Sequence, residues 1–288
     1  MLRVAGPLAE VADASGTREV RLAPRLPGGP PVAGDIVVVD DTGTQGIIRE
    51  ILPRRTILER VGSGGRVRAV VANVDLLVVV ASVAEPPLVP RLIDRYAVAA
   101  VAGGIDLGVV LTKADLPHDA QLVGQVASLQ RAAGHPVLVG SAHDPILVEE
   151  VRAMIDGRVA ALAGQSGVGK STLTTALTGV ARATGEVSER LRSGRHTTTD
   201  PRLIPMPGGG AVIDTAGVRA FWLPPMEPAG IAAGFPDIVR AARSCRFPDC
   251  RHMGDAGCAV VAEVDPERVA SYRALVDAAE SVRATTRE

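Results

Sequence analysis

Residues 164–171 read Gly164-Gln165-Ser166-Gly167-Val168-Gly169-Lys170-Ser171 and follow an apolar run at 159–163. They fit the pattern G-x-x-x-x-G-K-[ST], whose glycines let backbone N–H groups surround phosphate oxygens at the N-terminus of a helix. In such a loop Lys170 reaches the β- and γ-phosphates, and the Ser171 hydroxyl binds Mg²⁺. The apolar run and the helical pattern at 172–177 match the strand and helix that the motif requires. We predict a P-loop with phosphate contacts from residues 164–171 and Thr172; a glycine-rich turn without a ligand is the alternative.

Lysine occurs only at Lys113 and Lys170 among the 31 basic residues, and the others are arginine. The forked guanidinium of arginine and the compact ammonium of lysine are not interchangeable at binding sites. Because this chain uses arginine wherever a general positive charge is enough, its two lysines mark positions that require the thinner side chain. Lys113 is therefore a second candidate site residue.

The middle of the chain, residues 70–223, alternates short apolar runs with helical patterns. The predicted strands are 76–80, 107–111, 137–139 and 159–163, and the predicted helices are 91–102, 120–132 and 147–155. This alternation is typical of a mostly parallel sheet with helices on both faces, which binds ligands at the carboxyl ends of its strands. The candidate motifs follow these strands.

Thr112-Lys113-Ala114-Asp115 follows one predicted strand and resembles the [NT]-K-x-D loop with which GTPases recognise guanine. The Asp115 carboxylate can accept hydrogen bonds from N1–H and the 2-amino group of guanine, and adenine offers no such pair of donors. After the next strand, Ser141-Ala142 resembles the loop whose backbone supports the guanine carbonyl. We predict that both loops bind the base, with a solvated charged loop as the alternative for residues 112–115.

Two segments downstream of the P-loop are candidates for the γ-phosphate and magnesium. One is Gly194-Arg195-His196-Thr197-Thr198-Thr199, and the other is a strand that ends in Asp214-Thr215-Ala216-Gly217. A threonine of the first segment, with Thr198 as the candidate, can complete the Mg²⁺ shell, and Asp214 can hold the ion through water. The Gly217 N–H can sense the γ-phosphate. For the threonines, a loop without a ligand is the alternative.

The order of these loops along the chain differs from that of most GTPases, in which the P-loop comes first. Here residues 112–115 and 141–142 precede residues 164–171. A permuted chain can keep the same site, because the site depends on which strand ends are adjacent in space. The sequence therefore predicts a circularly permuted α/β P-loop GTPase domain at 70–223.

Residues 1–69 have the pattern of a small all-β domain. Turn signals at 26–31, 41–43 and 63–65 separate short β-rich runs such as 35–39 and 46–48, which is the spacing of a barrel or sandwich. The region up to residue 70 contains ten arginines, eight acidic residues and no Phe, Tyr or Trp. We expect any RNA bound here to be held through arginine–phosphate contacts rather than by stacked bases.

All three cysteines lie in a short C-terminal segment with the spacing Cys245-x₄-Cys250-x-His252-x₅-Cys258. Three thiols cannot all pair within one chain. Three thiolates and one imidazole are the ligands of a closed, tetrahedral, structural Zn²⁺ site, and three free thiols are the alternative. With helical patterns near 231–242 and 266–279, the segment predicts a mostly helical zinc-binding domain at 224–288.

Composition limits the classes of function. With 288 residues, 47% of them hydrophobic and 22% charged, the chain has the composition of a globular protein of about two domains. The N-terminus lacks the apolar core of a signal peptide, and no apolar stretch reaches the roughly 18 residues of a membrane span. We expect a cytoplasmic protein without a membrane partner. Its net charge of −1 means that a nucleic acid would be bound by a local basic face.

The arrangement as a whole resembles the circularly permuted, ribosome-associated GTPases of the RsgA (YjeQ) family. The resemblance covers nearly the whole chain and includes Pro31-Val32-Ala33-Gly34-Asp35, Ala72-Asn73-Val74-Asp75 and Ile93-Asp94-Arg95-Tyr96. It implies an OB-fold barrel at 1–69 and GTP hydrolysis that the small ribosomal subunit stimulates during late maturation of the 30S subunit. The implied partners are GTP, GDP, the small subunit and its 16S rRNA, with Zn²⁺ and Mg²⁺ as cofactors, and we expect a monomer.

Hydrolysis should be slow without a partner. Many GTPases have a water-orienting glutamine after the D-x-x-G glycine, whereas this chain has Val218, which cannot hydrogen-bond a nucleophile. The resemblance implies that His196 positions the attacking water once the ribosome orders its loop, and an exposed loop histidine is the alternative. Lys170 is the other candidate catalytic residue.

Two other functions fit part of the pattern. A P-loop ATPase or kinase would prefer ATP to GTP, which Asp115 argues against. A nucleotide-gated RNA-binding module would use the GTP state mainly to control docking, and the subunit would not accelerate its turnover by orders of magnitude.

Overall fold

The N-terminal part of the chain is a small β-barrel. The structure is a computed structural model, and it describes residues 1–41, 45–62, 65–180, 201–215 and 223–286. The first strands are β1 (Arg3–Ala5), β2 (Leu8–Asp13), β3 (Gly16–Leu22), β4 (Val37–Asp40) and β5 (Ile47–Ile51). They pair in the order β1-β2-β3-β5-β4, with β3 and β5 parallel and the other pairs antiparallel. This is the strand order of an OB-fold, and alternate residues of β2 point into a core with Val20 and Ile48. The predicted all-β domain is confirmed.

A second hairpin, β6 (Ile57–Val61) and β7 (Val67–Ala72), leads from the barrel into the central sheet. Asn73 fixes this junction, because its side chain accepts from Arg55 N–H at 2.9 Å and donates to the Gly34 carbonyl at 3.0 Å. At Gly34 the backbone is so close to Ala72 that a Cβ atom would lie 1.9 Å from the Ala72 carbonyl oxygen. Strand β7 continues past residue 69, the proposed end of the barrel. Two of the segments that carry the family resemblance thus meet at one interdomain contact.

The described residues form a central sheet of six strands in the order β10-β9-β8-β11-β13-β12. They are β8 (Leu76–Ser82), β9 (Asp106–Thr112), β10 (Val137–Val139), β11 (Val159–Ala163), β12 (Arg202–Pro205) and β13 (Ala211–Asp214). Only the edge strand β12 is antiparallel to its neighbour. The four strands expected at 76–80, 107–111, 137–139 and 159–163 are all present. Their carboxyl ends therefore lie along one edge of the sheet.

Helices cover both faces of this sheet. Four of them are α1 (Pro90–Ala102), α2 (Ala120–Ala132), α3 (Pro145–Ile155) and α4 (Lys170–Thr178). Successive residues of β8 enter different cores: Leu77 packs with α1 and α2 residues, and Val78 packs with residues of α3 and α4. A strand that is buried on both faces reads as a continuous apolar run, which is why β8 was predictable.

The C-terminal part packs its own helices around the cysteine segment. They are α5 (Pro228–Ala232), α6 (Pro236–Ala242), α7 (Ala259–Glu263) and α8 (Pro266–Thr286). The expectation of one helical stretch across 231–242 is wrong, because Gly234, Phe235 and Pro236 separate two short helices. Pro236 has no N–H to continue a helix, and the backbone at Gly234 lies so close to α1 that a Cβ atom would be 2.6 Å from Val98 Cα.

Among the described residues, no helix has both the length and the apolar character needed to span a membrane.

Candidate functional site

The P-loop joins β11 to α4, as the sequence predicts. Gly164 has a φ of +141°, and a Cβ atom there would lie 2.0 Å from the Val80 carbonyl oxygen, so only glycine fits. Gly169 is the N-cap of α4 and adopts a left-handed φ of 96°. Ordinary side chains avoid this conformation, which turns the loop so that backbone N–H groups meet at the helix N-terminus. The arrangement suits a phosphate group.

The ammonium group of Lys170 lies inside the P-loop. It donates to the Gly164 carbonyl at 2.8 Å and also to the Gln165 carbonyl. The side chain is buried, which lowers the pKa of Lys170, and the nearby Asp214 carboxylate opposes this shift. Asp214 ends β13 and is fully buried. The P-loop lysine and the predicted magnesium carboxylate therefore lie close together. Ser171, the second residue of α4, is half-buried.

The predicted base-reading loop is tied to the P-loop by one hydroxyl group. Thr112 ends β9 and is fully buried. Its Oγ1 atom lies 2.6 Å from the Val168 carbonyl oxygen and 3.2 Å from that of Ala81. A hydroxyl group has one hydrogen, and the shorter contact identifies Val168 as its acceptor. Thr112 thus links residues 112–115 to residues 164–171.

Of the remaining residues of this loop, two are held by hydrogen bonds to neighbouring segments and one faces solvent. Lys113 has a left-handed φ of 63°, and its ammonium group donates to the Glu85 carbonyl. Ala114 N–H donates to the Gly140 carbonyl at 3.1 Å, which brings the loop against residues 141–142. Asp115 is exposed. Its carboxylate can therefore receive a ligand from solvent.

The second base loop approaches the P-loop from the other side. Ala142 is buried, and its Cβ atom lies 3.6 Å from the position of a Cβ atom on Gly169. Ser141 accepts a long hydrogen bond of 3.4 Å from His143 N–H. A cavity of about 590 Å³ opens between α3 and α4; its lining includes Ala142 and Thr172 but no residue of 112–115 or 164–171.

The structure brings together most of the predicted nucleotide contacts. Three loops meet at the carboxyl edge of the sheet: residues 112–115 after β9, 141–142 after β10 and 164–172 after β11. Asp214 joins them from β13. His196, Thr198 and Gly217 lie outside the described residues, as does Val218.

Sequence reasoning missed the segment after β8. The Glu85 carbonyl in this segment holds the Lys113 ammonium, and Pro86 Cδ lies 3.8 Å from the position of a Cβ atom on Gly167. The available signal was positional: β8 is parallel to its two neighbours, β9 and β11, each of which is followed by a motif, so Pro86-Pro87 after β8 lies at the same edge of the sheet.

The C-terminal cluster has the geometry of a metal site. His252 Nδ1 lies 3.7 Å from Cys245 Sγ, 3.3 Å from Cys250 Sγ and 3.5 Å from Cys258 Sγ. All four ligand atoms lie within 4.8 Å of one another. In a tetrahedral site with metal–sulfur bonds of about 2.3 Å and metal–nitrogen bonds of about 2.0 Å, ligand atoms are about 3.5 Å apart. The four side chains are therefore spaced as ligands of one tetrahedral ion.

Helix α8 supports this cluster. Arg273 Nε donates to the His252 carbonyl at 2.8 Å, and the Tyr272 hydroxyl donates to the Arg251 carbonyl at 3.2 Å. These bonds hold the backbone of His252, whose φ is a left-handed 62°. The histidine ligand is thus positioned by the longest helix of the C-terminal part.

Comparisons with known proteins agree with this geometry. The sequence model described as RsgA GTPase matches residues 51–224. A protein of Azotobacter vinelandii named small ribosomal subunit biogenesis GTPase RsgA is 42% identical over 257 residues, covering 85% of this chain and 74% of its own length. A Pseudomonas fluorescens protein of the same name is 41% identical over 256 residues, with the same coverage.

Solved structures show the same fold. The structure described as YloQ, a circularly permuted GTPase, superposes with a TM-score of 0.71 at 24% identity, covering 97% of this chain and 93% of its own. YjeQ from Thermotoga maritima gives a TM-score of 0.71 at 25% identity, covering 96% and 95%. The predicted architecture of barrel, permuted α/β domain and helical C-terminal part is confirmed.

Proposed function

The chain belongs to the RsgA GTPase family, and we propose that it hydrolyses GTP to GDP and phosphate during late maturation of the small (30S) ribosomal subunit. The observation that carries the proposal is the meeting of residues 112–115, 141–142 and 164–172 at one sheet edge. The first two loops match base-reading motifs and the third matches a phosphate-binding motif. One molecule of GTP can contact all three.

The described residues have complementary roles toward this substrate. Asp115 reads N1–H and the 2-amino group of guanine, Lys113 packs along the base, and the Ala142 backbone supports the guanine carbonyl. The N–H groups of the P-loop hold the phosphates, and the Lys170 ammonium stabilises the charge that develops on the transferred group. Ser171 and Asp214 would hold Mg²⁺, the buried carboxylate acting through water. The ion would neutralise charge between the β- and γ-phosphates.

Three residues outside the described part complete the proposed site. We assign Thr198 to the Mg²⁺ shell, Gly217 to the γ-phosphate and His196 to the attacking water. Because Val218 replaces the usual glutamine, hydrolysis depends on His196 being placed by the partner. The proposed enzyme is therefore slow alone and fast on the ribosome.

The C-terminal cluster is proposed to hold one structural Zn²⁺ ion. The ligands are Cys245, Cys250, His252 and Cys258, and three sulfurs with one imidazole nitrogen leave no open position for catalysis. Bound there, the ion joins the loop that follows α6 to the start of α7. It would add folding energy to this part of the chain.

Exposed arginines give the chain surfaces for 16S rRNA. Arg66 and Arg68 are exposed on the β6–β7 hairpin. In the C-terminal part, the exposed Phe247 ring has the Arg246 guanidinium 5.3 Å from its centre. Guanidinium groups bind phosphates, and an exposed aromatic ring can stack on an unpaired base. The division into 1–69, 70–223 and 224–288, the monomeric state and the cytoplasmic location are part of the same proposal.

The experiment that tests the proposal is turnover with and without purified small ribosomal subunits, using GTP and ATP. We expect slow hydrolysis of GTP alone, strong stimulation by the subunit and little activity with ATP. The variant Lys170→Ala should abolish both rates and controls for contaminating nucleotidases. Unstimulated GTP turnover would contradict the ribosomal role, and a preference for ATP would contradict the assignment of residues 112–115.

A further inference from the structure

Helix α8 contacts both the cysteine segment and helix α1 of the permuted α/β domain. Near the start of α8, Arg268 forms an ion pair with Asp94 of α1, and the exposed fractions of the two side chains are 5% and 4%. Arg268 also binds Asp237 of α6, with Nε–Oδ2 and Nη2–Oδ1 distances of 3.0 Å. Gln130 of α2 donates to the same Asp94 carboxylate at 3.2 Å. One buried guanidinium group therefore joins the C-terminal part to the α/β domain.

One turn further along α8, two side chains hold the backbone beside the histidine ligand. Arg273 Nε donates to the His252 carbonyl at 2.8 Å, and the Tyr272 hydroxyl donates to the Arg251 carbonyl at 3.2 Å. Residues four apart lie on the same face of a helix, so Arg268 and Tyr272 share one face of α8. With a rise of about 1.5 Å per residue, they are about 6 Å apart along the helix axis.

The ring of Phe235 lies between these two contacts. Its centre is 4.6 Å from the guanidinium carbon of Arg268 and 5.8 Å from the centre of the Tyr272 ring, with an angle of 83° between the two rings. The centre of the Tyr272 ring is in turn 6.0 Å from that of His252. Phe235 and Tyr272 are buried in the same apolar core as residues of α1. A continuous series of contacts thus leads from α1 to the histidine ligand.

The contact with α1 tolerates little displacement. If α8 moved away from α1, the buried Arg268 and Asp94 would each lose charge compensation, which is costly inside a protein. The backbone of Gly234 also packs so closely on α1 that a Cβ atom there would lie 2.6 Å from Val98 Cα. Packed contacts of this kind change between discrete arrangements rather than deforming continuously. A shift of α8 at the ligand loop would therefore disturb its contact with α1.

We propose that zinc binding and the seating of the C-terminal part on α1 are coupled through α8, and that Arg268 carries this coupling to the α/β domain. The bound ligands fix the loop at His252, this loop fixes α8, and Arg268 then meets Asp94 in its buried position. The inference rests on the proposed zinc site and does not depend on which nucleotide the P-loop binds. Because coupling is reciprocal, zinc must strengthen the α1 contact by the same factor by which that contact strengthens zinc binding.

The first test is hydrogen exchange of the full-length chain with zinc bound and after a chelator has removed it. The peptide that contains residues 90–102 reports on α1. The peptide that contains residues 145–155 reports on α3, which packs on the opposite face of the sheet. We expect zinc removal to accelerate exchange in α1 about fivefold or more and to leave exchange in α3 within about twofold of its rate with zinc.

The second test is the Kd for zinc, measured by competition with a chelator. Asp94→Asn keeps the size of the side chain but removes the charge that pairs with Arg268, and it should raise this Kd about fivefold or more. In the same variant, zinc removal should accelerate α1 exchange less than in the parent chain, because the coupled contact is already weakened. A side chain that only stabilises the fold would leave this acceleration unchanged.

The chain offers two matched controls. Glu267→Gln breaks an exposed pair that joins the same two helices, with 4.0 Å between Arg91 Nη2 and Glu267 Oε2. Val151→Ala creates a cavity beside α3 in the apolar core on the other face of the sheet and lowers the melting temperature. Both controls should keep the Kd for zinc within about twofold of the parent, since exposed pairs contribute little and the cavity lies outside the coupled contact.

The possible results separate the alternatives. Equal weakening of zinc binding in Asp94→Asn and Val151→Ala would show a general loss of stability and overturn the inference. Unchanged α1 exchange after zinc removal would also overturn it. If Asp94→Asn does not fold, Asp237→Asn replaces it, because it removes the other carboxylate that binds Arg268. A chain that binds no zinc would overturn the proposed metal site together with this inference, whereas a zinc-bound chain without the coupling would overturn the inference alone.

Discussion

Replacing Thr112 by valine removes one hydroxyl group and changes the side-chain shape very little. In the structure that group donates to the Val168 carbonyl at 2.6 Å, and the threonine is fully buried. Many GTPases carry asparagine at this position. The substitution therefore tests whether the Thr112 hydroxyl holds residues 112–115 to the P-loop in this chain. Thr112→Val should weaken guanine-nucleotide binding without changing the preference for guanine.

The size of the effect follows from burial. A buried carbonyl that loses its donor costs about 1–3 kcal/mol, since neither water nor another group replaces the bond. At about 1.4 kcal/mol for each factor of ten, this corresponds to roughly a five- to hundredfold loss of affinity if the whole cost appears in binding. Where the Thr112–Val168 hydrogen bond already exists without nucleotide, its loss destabilises the free chain and lowers the melting temperature of Thr112→Val. The two measurements together should therefore account for about 1–3 kcal/mol.

The assay is calorimetric titration with GDP and with inosine diphosphate, which lacks the 2-amino group that Asp115 is proposed to bind. Thr112→Val should weaken both ligands by the same factor, because Thr112 holds the loop and does not contact the base. Thr112→Ser retains the hydroxyl and should bind like the parent chain. If Thr112→Val binds GDP like the parent and melts at the same temperature, the link has no energetic role. If Thr112→Val loses the preference for GDP over inosine diphosphate, Thr112 contacts the base itself.

Four further outcomes follow from the same geometry. Asp115→Asn should reduce the preference for GDP over inosine diphosphate by about tenfold or more, because a charged acceptor is lost; titration measures this. His196→Ala should retain GTP binding and lose most subunit-stimulated turnover, and an equal loss of binding would contradict its role. Cys258→Ser should release the bound zinc and lower the melting temperature, as metal analysis and calorimetry can show. Burial, with a smaller effect of Arg268, lowers the pKa of His135. The folded chain therefore binds fewer protons than the unfolded chain, and stability should fall as pH drops below about 6.5; this fall should be smaller in His135→Gln.

The sequence was enough to predict the central sheet, and the reason lies in its burial. Strands such as β8 and β11 are covered on both faces and read as short, unbroken apolar runs. The motifs then follow directly at the strand ends. The break between α5 and α6 was harder to predict, because the pattern at 231–242 is helical by periodicity. What decides it is the tertiary contact of Gly234 with Val98, which no local pattern contains.

The sequence predicts the candidate site best where a motif serves a single kind of ligand. The P-loop, residues 112–115 and the cysteine cluster each combine residue type with fixed spacing. The Thr112–Val168 bond and the Glu85–Lys113 contact were not predictable, since each joins a side chain to a backbone carbonyl from a distant part of the chain. Backbone acceptors leave no signature in a sequence. The segments at 31–35, 72–75 and 93–96 were recognised only as a resemblance. In the structure, Asn73 donates to the Gly34 carbonyl and Asp94 pairs with Arg268.

The permuted order of the chain explains why these contacts surround the P-loop. Strand β11 carries the loop, and its two neighbours in the sheet are β8 and β13. The barrel enters the sheet through β8, and the C-terminal part follows β13, so both appended parts are joined to the strands that flank the P-loop strand. In an unpermuted chain the P-loop strand is the first strand of the domain. The two strands beside it would then lie inside the chain of the domain, and neither would be joined directly to an N-terminal or C-terminal domain. This topology places the P-loop strand between the two strands to which the parts proposed to bind RNA are connected. For the proposed GTPase, which is slow alone and stimulated by the small subunit, docking of either part would act on a strand that is hydrogen-bonded to the P-loop strand.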